Sequence, residues 1–455
     1  MTAHNHAIQT LADAVLSMEI ENVPDDAVNN AKRCLIDVCG VTLAGAKTDS
    51  AKTLYETAVE TYKPGCCNIL GTSHVLNAPG AAFANGAAAH ALDFDDNCYA
   101  GIVHGSAVVF PSVLAIAQQR GATGAELLLG FVTGLEVEFA VAKALSNSIY
   151  DRGWWTTSVL GTIGSAAGAA KIARLDNETT RNALALAVVG AGATRAVRGT
   201  TAKHYYCGRA AESGVLAVMA AERGATGPIN AFEDQSGIAR VLNGAEFDPK
   251  AIEALGVEFG ISQPGVDIKK YPVCYASHAA ADATKEIMNS NGLTANDVAA
   301  VTCTVPPLVA SNLTYSTPKT AAEAQFSLEF AISSIIEHGD IELKHLETAI
   351  LTSPPIERLL GKIVVKVGDV PERYRSAESI CPEWGSVELV THCGARKLAF
   401  AASPIGSASR PLSDDMLQKK FNSCAEYRNS ANAPLFLYGR MRNIELIGNA
   451  QELFT

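Results

Sequence analysis

The segment SVLGTIGSAAGAAKIARL, which runs from Ser158 to Leu175, consists mainly of alanine, glycine, aliphatic and small hydroxyl residues. Its two charged residues, Lys171 and Arg174, both stand near its end. Small side chains allow helices to approach closely, and a scarcity of charge is typical of buried surface. The segment therefore predicts a helix within a compact, mostly buried helical bundle.

Segments of the same kind continue on both sides of this one. In VPDDAVNNAKRCLIDVCGVTLAG, apolar residues recur at helical spacing, Pro24 suits a first turn and Gly45 suits a helix end. The other segments of this kind are NAPGAAFANGAAAHALDF, PSVLAIAQQRG, GAELLLGFVTGLEVEFAVAKALS and ETTRNALALAVVGAG. We therefore expect residues 1–265 to form the first part of a large all-helical domain.

The pattern of apolar and β-branched residues changes near Pro264. DVAAVTCTVP, KIVVKVGD and SVELVTHCGARKLAF alternate or cluster β-branched residues, as strands do, while AAEAQFSLEFAISSIIEHG is helical again. We therefore predict a smaller α+β domain over residues 266–400. After PIGSASRPLS, Ser413 is a suitable N-cap for a helix. Residues 401–455 are accordingly expected to return to the helical domain.

Charge and cysteine usage narrow the class of partner. The 455-residue chain has a formal net charge of −11 and no run of five or more basic residues, which argues against nucleic acid. Its eleven cysteines are scattered without a CxxC pair, so we expect neither disulfides nor a metal site. No export signal and no apolar run of about 18 residues occurs. We expect a cytoplasmic protein with a small-molecule substrate and no membrane partner.

Signatures of common cofactors are missing from the sequence. GAGATR, residues 190–195, has arginine where a dinucleotide fingerprint needs its third glycine, and it follows a helical pattern rather than a strand. A P-loop and the G-x-S-x-G elbow of serine hydrolases are also absent. The sequence therefore argues against a nucleotide-dependent enzyme and against a serine hydrolase.

One short stretch, AHALDFDDNCYAGIVHGS at residues 89–106, concentrates protonatable groups. We expect His90, Asp93 and Asp96 at a helix end, where spacings of three and four put side chains on one face. His104 follows after a short loop. Together these groups could form an acid/base site. The alternative is that the two adjacent aspartates of DFDD are solvated or capping residues.

Three further segments combine cations, phenols and indoles. Such groups suit a carboxylate substrate, because they can hold its charge and stabilise an enediolate. Structural alternatives stay open. The two tryptophans could be core residues, and His278 could form a hydrogen bond at the start of a helix. The segments are RGTTAKHYYCGRAAESG with Arg198, Lys203, His204, Tyr205, Tyr206 and Arg209; DIKKYPVCYASHAAADA with Lys269, Lys270, Tyr275 and His278; and YDRGWWTTS with Trp154 and Trp155.

Taken together, these segments resemble the MmgE/PrpD family, whose members include 2-methylcitrate dehydratases, cis-aconitate decarboxylases and iminodisuccinate epimerases. The similarity spans almost the whole chain. It implies a helical domain formed by both chain ends, a smaller α+β lid domain, a homodimer, and a cleft between the domains for a di- or tricarboxylate. The segments that carry it are HALDFDD, HGS, GTIGSAAGAA, KHYYCGRAAESGVLAVMAAERGATGP, KKYPVCYASHAAADA, AQFSLEF and PIGSASRPLS.

The resemblance also assigns site residues. Asp93, His104, Lys203 and His278 stand at positions that the family uses for catalysis. One base, from Asp93 and His104 or from Lys203 and His278, would take an α-proton, and the opposite group would return it. The resemblance implies no organic cofactor, and we expect no metal. The residues expected to bind the substrate are His90, Trp155, Tyr206, Arg209, Lys270 and Tyr275.

Two positions depart from the decarboxylase and dehydratase branches. Where those branches have G-[FW]-H, this chain has Trp155 as the third residue, and an indole cannot transfer a proton at neutral pH. Where they end in FS-x-x-Y, this chain has Phe330. Epimerisation needs no acid for a departing hydroxide. We therefore expect a cofactor-independent epimerase of a dicarboxylate amino acid derivative such as iminodisuccinate. The alternatives are a 2-methylcitrate dehydratase or related hydro-lyase or decarboxylase of a tricarboxylate, and a binding protein that has lost its chemistry.

Overall fold

The computed structural model describes residues 6–145, 148–375, 381–428 and 434–454. None of the helices in these ranges is long and apolar enough to cross a membrane. The α-helices, in chain order, are α1 (Ala7–Ser17), α2 (Asp25–Gly45), α3 (Asp49–Thr61), α4 (Ala78–His90), α5 (Gly105–Arg120), α6 (Gly124–Leu145), α7 (Ser148–Asp151), α8 (Thr156–Ala173), α9 (Asn177–Gly190), α10 (Ala202–Ala221), α11 (Ile238–Asn243), α12 (Lys250–Glu253), α13 (His278–Asn291), α14 (Pro307–Asn312), α15 (Ala321–Ala324), α16 (Leu328–His338), α17 (Thr348–Leu351), α18 (Pro354–Leu360), α19 (Asp414–Tyr427) and α20 (Pro434–Arg442). The strands are β1 (Pro64–Asn68), β2 (Val75–Leu76), β3 (Val298–Val305), β4 (Ile363–Val367), β5 (Gly385–Thr391) and β6 (Arg396–Ala401).

These elements form two compact units. The first combines the described parts of residues 1–91, 95–267 and 414–455, and it is helical apart from the antiparallel pair of β1 and β2. The second combines residues 92–94 with the described parts of 268–413, and it contains α13 to α18 and a four-stranded sheet. The predicted fold class, a large helical domain with a smaller α+β domain, is confirmed.

Helix α8, formed by the segment rich in alanine and glycine, is buried at all but two of its residues. Its glycines touch the backbone of α6, because a Cβ on Gly164 would lie 2.7 Å from the carbonyl oxygen of Gly134. A Cβ on Gly168 would likewise lie 2.6 Å from the carbonyl oxygen of Gly130. No side chain fits at these separations in a close-packed interior. Glycine is therefore what allows α6 and α8 to pack backbone against backbone.

The C-terminal helix α19 begins directly after Ser413 and packs on α2 in the first unit. A buried ion pair joins the two helices: Lys420 Nζ lies 2.6 Å from Asp37 Oδ1, with the side chains 5% and 1% exposed. The adjacent Phe421 ring lies against Gly40, where a Cβ would be only 2.9 Å from the ring. The last part of the chain thus packs on its first part.

The sheet of the second unit has the strand order β4-β3-β5-β6. β3 pairs in parallel with β4, placing Val301 opposite Ile363, and antiparallel with β5, placing Cys303 opposite Val387. β5 and β6 form an antiparallel hairpin. Inward residues of these strands join α13 and α16 in one apolar core. One face of the sheet is buried, which explains why apolar and polar residues alternate along these strands and why the sequence predicted them.

The second unit extends beyond residue 400, where the sequence analysis placed its end. The backbone N–H of Ile268 donates to the Gly406 carbonyl at 2.8 Å, and that of Ile405 donates to Asp282 Oδ2 at 2.7 Å. These bonds hold the irregular segment after β6 on the second unit. The division of the structure therefore falls between residues 413 and 414, not 400 and 401.

Candidate active site

The loop between α4 and α5 carries most of the expected acid/base groups. α4 ends at His90, and the following residues form turns and isolated bridges rather than helix. Asp93 has a φ of 48°, in the left-handed region, so a right-handed helix cannot continue through it. The prediction that His90, Asp93 and Asp96 share a helix face is therefore wrong. Asp93 belongs to the second unit, whereas Asp95 and Asp96 belong to the first.

In the helical unit, two histidines converge on one buried carboxylate. His90 Nδ1 lies 2.7 Å from Asp95 Oδ2, and both side chains are fully buried. His104 Nδ1 lies 3.7 Å from the same oxygen. The two imidazole centroids are 4.6 Å apart. His90 and His104 were expected at a common site and are neighbours, but Asp95 is neither solvated nor a cap, because it lies buried beside both.

Hydrogen bonds fix which nitrogen of His104 carries a proton. Nδ1 lies 2.7 Å from the carbonyl oxygen of Asp96. A carbonyl can only accept, so Nδ1 donates, and in the neutral ring the lone pair is on Nε2. The backbone N–H of His104 donates to Thr157 Oγ1 at 3.1 Å. Because the side chain is 15% exposed, Nε2 belongs to a ring that is held in place yet reachable by a ligand.

Trp155 stands beside His90. It directly precedes α8, is 5% exposed, and its ring centroid lies 5.6 Å from that of His90. Its backbone N–H donates to the Ala193 carbonyl at 3.0 Å. Trp155 is therefore a core residue that also contacts a residue of the candidate site, His90. The indole supports an imidazole and supplies neither a general acid nor a general base.

Asp96 and Glu138 are buried acids near this cluster. Asp96 accepts hydrogen bonds from the backbone N–H and the hydroxyl of Ser106, in the first turn of α5. Burial raises the pKa of Asp96 to about 7 even though these hydrogen bonds oppose the shift. Burial also raises the pKa of Glu138, whose carboxyl oxygens have no hydrogen-bond partner among the described residues. Glu138 was not among the predicted site residues, because nothing in its helical segment distinguishes it from other acids.

The first turn of α10 brings Lys203 and His204 into the same unit. Lys203 is only 9% exposed, which is unusual for a lysine. Burial, reinforced by His90 and Lys203, lowers the pKa of His204 to about 3, so its imidazole is neutral at neutral pH. A close backbone contact between α4 and α10 explains the position of His204, because a Cβ on Gly86 of α4 would lie 3.0 Å from Gly208 of α10. His90 follows Gly86 by one turn, and His204 precedes Gly208 by one turn.

In the second unit, Asp93 is paired with Lys269. The ammonium Nζ donates to the Asp93 carbonyl oxygen at 2.8 Å and lies 3.4 Å from Asp93 Oδ1. The lysine side chain is fully buried and that of the aspartate is 3% exposed. The contact compensates a buried charge and ties down a residue in a strained backbone conformation. Both lysines of this segment were named as cations suited to a carboxylate substrate, but only Lys270 was predicted to bind it, and the pairing of Lys269 with Asp93 was not foreseen.

His278 begins α13 and is fully buried. Its Nε2 lies 3.2 Å from the Val273 carbonyl oxygen, so Nε2 donates and the lone pair of the neutral ring is on Nδ1. The rings of Tyr271 and Tyr275 each lie 5.1 Å from the imidazole centroid. Tyr275 and His278, both expected at the site, are therefore in contact with each other.

Two of the residues expected to bind the substrate have carboxylate partners in the protein, and a third is exposed. Lys270 Nζ lies 2.9 Å from Asp282 Oδ1, and both residues line a cavity of about 660 Å³ in the second unit. Arg209 forms an ion pair with Glu212 one turn further along α10. Tyr206 is 37% exposed. The lysine and the guanidinium are thus engaged by carboxylates of the protein itself, and their assignment as substrate ligands stays a prediction.

His90, Asp95 and His104 form the one group among the described residues whose potential ligand atoms, all within 4.8 Å of one another, could hold a metal ion. The observed contacts are those of a hydrogen-bonded network, because His90 Nδ1 bonds Asp95 and His104 Nδ1 donates to a carbonyl. Binding a metal through either Nδ1 would require that nitrogen to lose its proton and its hydrogen bond. We therefore do not assign these residues as metal ligands.

Comparison with known families covers both units. The family model of the MmgE/PrpD N-terminal domain matches residues 9–250, and that of the MmgE/PrpD C-terminal domain matches residues 271–434. The chain belongs to the MmgE/PrpD family. The resemblance inferred from the sequence motifs is thereby confirmed.

Relatives of this MmgE/PrpD chain carry the names of decarboxylases. Cis-aconitate decarboxylase of Homo sapiens is 26% identical over 465 residues, which cover 98% of this chain and 93% of that protein. The cis-aconitate decarboxylase of Mus musculus is also 26% identical and covers 92% of this chain and 86% of its own. The cis-aconitate decarboxylase-like protein oryM of Aspergillus oryzae is 26% identical over 52% of this chain and 51% of its own. These relatives favour the lyase alternative over the epimerase expected from the sequence.

The MmgE/PrpD family thus contains enzymes, and this member has side chains suited to acid/base chemistry. The helical unit holds His104, with a fixed tautomer and partial exposure, near a buried carboxylate. It also holds Lys203, a residue that is only 9% exposed. Such groups can move a proton at carbon and stabilise the negative charge that develops there.

Proposed function

We propose that this MmgE/PrpD protein is a lyase that acts on a tricarboxylate of the cis-aconitate type, without a metal or organic cofactor. The observation that carries the proposal is the similarity to cis-aconitate decarboxylase over 98% of the chain. The acid/base groups support it, because removing CO2 or water from a polycarboxylate requires a proton to be moved to or from the substrate. The lyase is our leading candidate and the epimerase our second.

Decarboxylation defines the work of the site. The bond to the departing CO2 breaks, its electron pair stays on the adjacent carbon system, and a proton must then be delivered to carbon. We assign this delivery to Nε2 of His104, whose Nδ1 is held by the Asp96 carbonyl. Lys203 is assigned to stabilise the developing negative charge. Asp93 and His278 stay predicted catalytic residues for the second proton-transfer role.

An epimerase of a dicarboxylate amino acid derivative such as iminodisuccinate is the second candidate, and two substitutions favour it. Trp155 places an indole beside His90. Phe330 is fully buried in an apolar cluster with Tyr271 and Ile335. Neither position can donate a proton to a departing hydroxide. An epimerase needs only removal of an α-proton on one face and its return on the other.

The two candidates differ in their products. The purified protein is incubated separately with cis-aconitate, 2-methylcitrate and iminodisuccinate, while CO2 release, the ultraviolet absorbance of the double bond and stereoisomer composition are followed. The proposal expects CO2 from cis-aconitate, or loss of water from 2-methylcitrate. Interconversion of iminodisuccinate stereoisomers, with neither tricarboxylate consumed, would establish the second candidate instead. His104→Gln is the control, because its amide can still donate to a carbonyl but cannot take up a proton at neutral pH.

We further propose that the protein is a homodimer in the cytoplasm, as the family resemblance and the scattered cysteines imply. Size-exclusion chromatography with light scattering tests the assembly. A mass of twice the 47.6 kDa chain is expected. The mass of a single chain in solution would contradict the dimer.

A further inference from the structure

We propose that Asp95 is a positioning residue that acts through His104: its buried carboxylate steadies the imidazole and stabilises the protonated ring. The inference rests on the proposed function, because it concerns the proton-transfer step assigned to His104. It gives a catalytic purpose to a side chain that the sequence motifs left as a solvated or capping residue.

Asp95 Oδ2 is the atom on which both imidazoles converge. It lies 2.7 Å from His90 Nδ1 and 3.7 Å from His104 Nδ1. The side chains of Asp95 and His90 are fully buried, whereas that of His104 is 15% exposed. A buried carboxylate is costly unless its charge is compensated. The two imidazoles can provide that compensation, and of these two only His104 has an exposed side chain.

The roles of Asp95 and Asp96 at His104 are different. The Asp96 carbonyl accepts the Nδ1 proton at 2.7 Å, while the 3.7 Å separation from Asp95 exceeds a hydrogen-bond length. The carbonyl therefore fixes the tautomer, and the Asp95 carboxylate acts on the ring through its charge. When Nε2 takes up a proton, the imidazolium gains an attraction to Asp95 that water screens only weakly in a buried setting.

His90 keeps the Asp95 carboxylate in place. Its Nδ1 donates to the carboxylate from the last residue of α4. Its ring is held between two others, with centroids 4.6 Å from that of His104 and 5.6 Å from that of Trp155. A carboxylate anchored on a helix in this way supports a reacting group more accurately than one on a loose loop.

Other ionisable side chains interact with this network from neighbouring elements. Asp96 of the same loop interacts with Asp95 and with Asp37 of α2, and Glu138 of α6 interacts with Asp96. His204 of α10 interacts with His90 and with its own neighbour Lys203. A Cβ at Gly105, next to His104, would lie 3.0 Å from Glu138 Oε2. Several of these groups would influence a pH profile of activity. The effect of Asp95 therefore has to be measured at His104 itself.

The decisive variant is Asp95→Asn, which keeps an oxygen to accept from His90 but removes the charge. In the full-length protein, the titration of His104 is followed by NMR of 13C-labelled histidine and assigned with His104→Gln. We expect the titration midpoint of His104 to fall by about one pH unit or more, which means about tenfold weaker proton binding. An unchanged midpoint overturns the proposal. If Asp95→Asn fails to fold, Asp95→Ser provides the same loss of charge with a smaller polar side chain.

A double-mutant cycle on turnover gives a second readout. Asp95→Asn is expected to lower kcat by about 10- to 100-fold in the wild-type background. It should cause no further loss in the His104→Gln background, because Asp95 acts through that histidine. Equal losses in both backgrounds would show a merely structural role and contradict the proposal. Asp176→Asn is the matched control: it removes an exposed charge at the N-cap of α9 while preserving the cap, and it should change neither readout.

The NMR titration does not depend on any substrate. If the wild-type protein converts no tricarboxylate while Asp95→Asn still shifts the His104 midpoint, the proposed lyase function fails and the link between Asp95 and His104 stands. If the wild-type protein is an active lyase and the midpoint does not move, the function stands and the role of Asp95 fails.

Discussion

Lys269 Nζ donates to the backbone carbonyl of Asp93 at 2.8 Å and lies 3.4 Å from its carboxylate Oδ1. The adjacent Lys270 has a different partner, Asp282, at 2.9 Å. The two lysines of the KKYP motif therefore serve different ends. Lys269 compensates a buried aspartate that we predict to be catalytic, while Lys270 forms a less buried ion pair.

Replacing Lys269 by methionine is expected to destabilise the protein and to reduce its activity. The change leaves the Asp93 carboxylate buried without its cation, a loss that typically costs about 3–5 kcal/mol. Lys270→Met is the matched control and should cost less, because Asp282 keeps its hydrogen bonds from the Tyr271 hydroxyl and the Ile405 backbone N–H. Urea denaturation of the two variants measures the difference. Equal losses would mean that Lys269 has no special role at Asp93.

Trp155 is expected to act by packing rather than by proton transfer. Trp155→Phe keeps an aromatic ring beside His90, so we expect kcat to stay within about tenfold of the wild-type value, since a missing general acid or base would typically cost 10²–10⁴-fold. Trp155→Ala removes the ring that supports His90 and should lower both stability and kcat. Steady-state kinetics of the two variants tests this. A loss as large in the phenylalanine variant as in the alanine variant would show that the indole itself is needed.

Asp96 should make stability depend on pH. Its pKa of about 7 in the folded protein lies well above the value of about 3.9 expected in the unfolded chain. The folded protein thus keeps a proton that the unfolded chain releases, so this stabilisation is complete below about pH 4 and is lost as the pH rises through about 7. Between about pH 4 and pH 7 the free energy of unfolding of the wild-type protein should therefore fall by up to about 4 kcal/mol more than that of Asp96→Asn. Denaturation at a series of pH values measures the change, and identical pH dependence in both proteins would refute it.

The contact between α6 and α8 should tolerate no side chain at its centre. Gly164→Ala places a methyl group 2.7 Å from the Gly134 carbonyl oxygen, and such overpacking typically costs about 1–3 kcal/mol. Gly190→Ala, at the end of α9, meets no atom within 4 Å and should be neutral or slightly stabilising. Thermal unfolding compares the two variants. A Gly164→Ala protein as stable as the wild type would show that the helices can move apart freely.

The fold class was predictable because burial leaves a pattern in the sequence. Alanine and glycine recur in α8 where backbones touch, and apolar residues alternate in β3 where one face of the sheet is covered. The end of the second unit was not predictable. Residues 402–413 have no regular pattern, and they are held there by hydrogen bonds to Ile268 and Asp282, which are distant in sequence.

The candidate site was predictable in its residue types and less so in its geometry. His90 and His104 were expected together and are neighbours. The prediction that Asp93 lies on a helix face with His90 was wrong, because α4 ends at His90 and the left-handed φ of Asp93 prevents a helix from continuing. Spacing also cannot tell which of two adjacent lysines points inward. For the same reason the burial of Asp95 could not be inferred from the motif that contains it.

Proton NMR in D2O, with cis-aconitate, 2-methylcitrate and iminodisuccinate each incubated separately with the protein, tests the central claim, lyase activity, most directly. We predict that cis-aconitate releases CO2 and that its product carries a deuterium delivered from solvent to carbon, while the His104→Gln variant forms this product at least about 10²-fold more slowly. Cis-aconitate and 2-methylcitrate left unchanged, with deuterium entering the α-position of iminodisuccinate as its stereoisomers interconvert, would contradict the lyase and identify an epimerase.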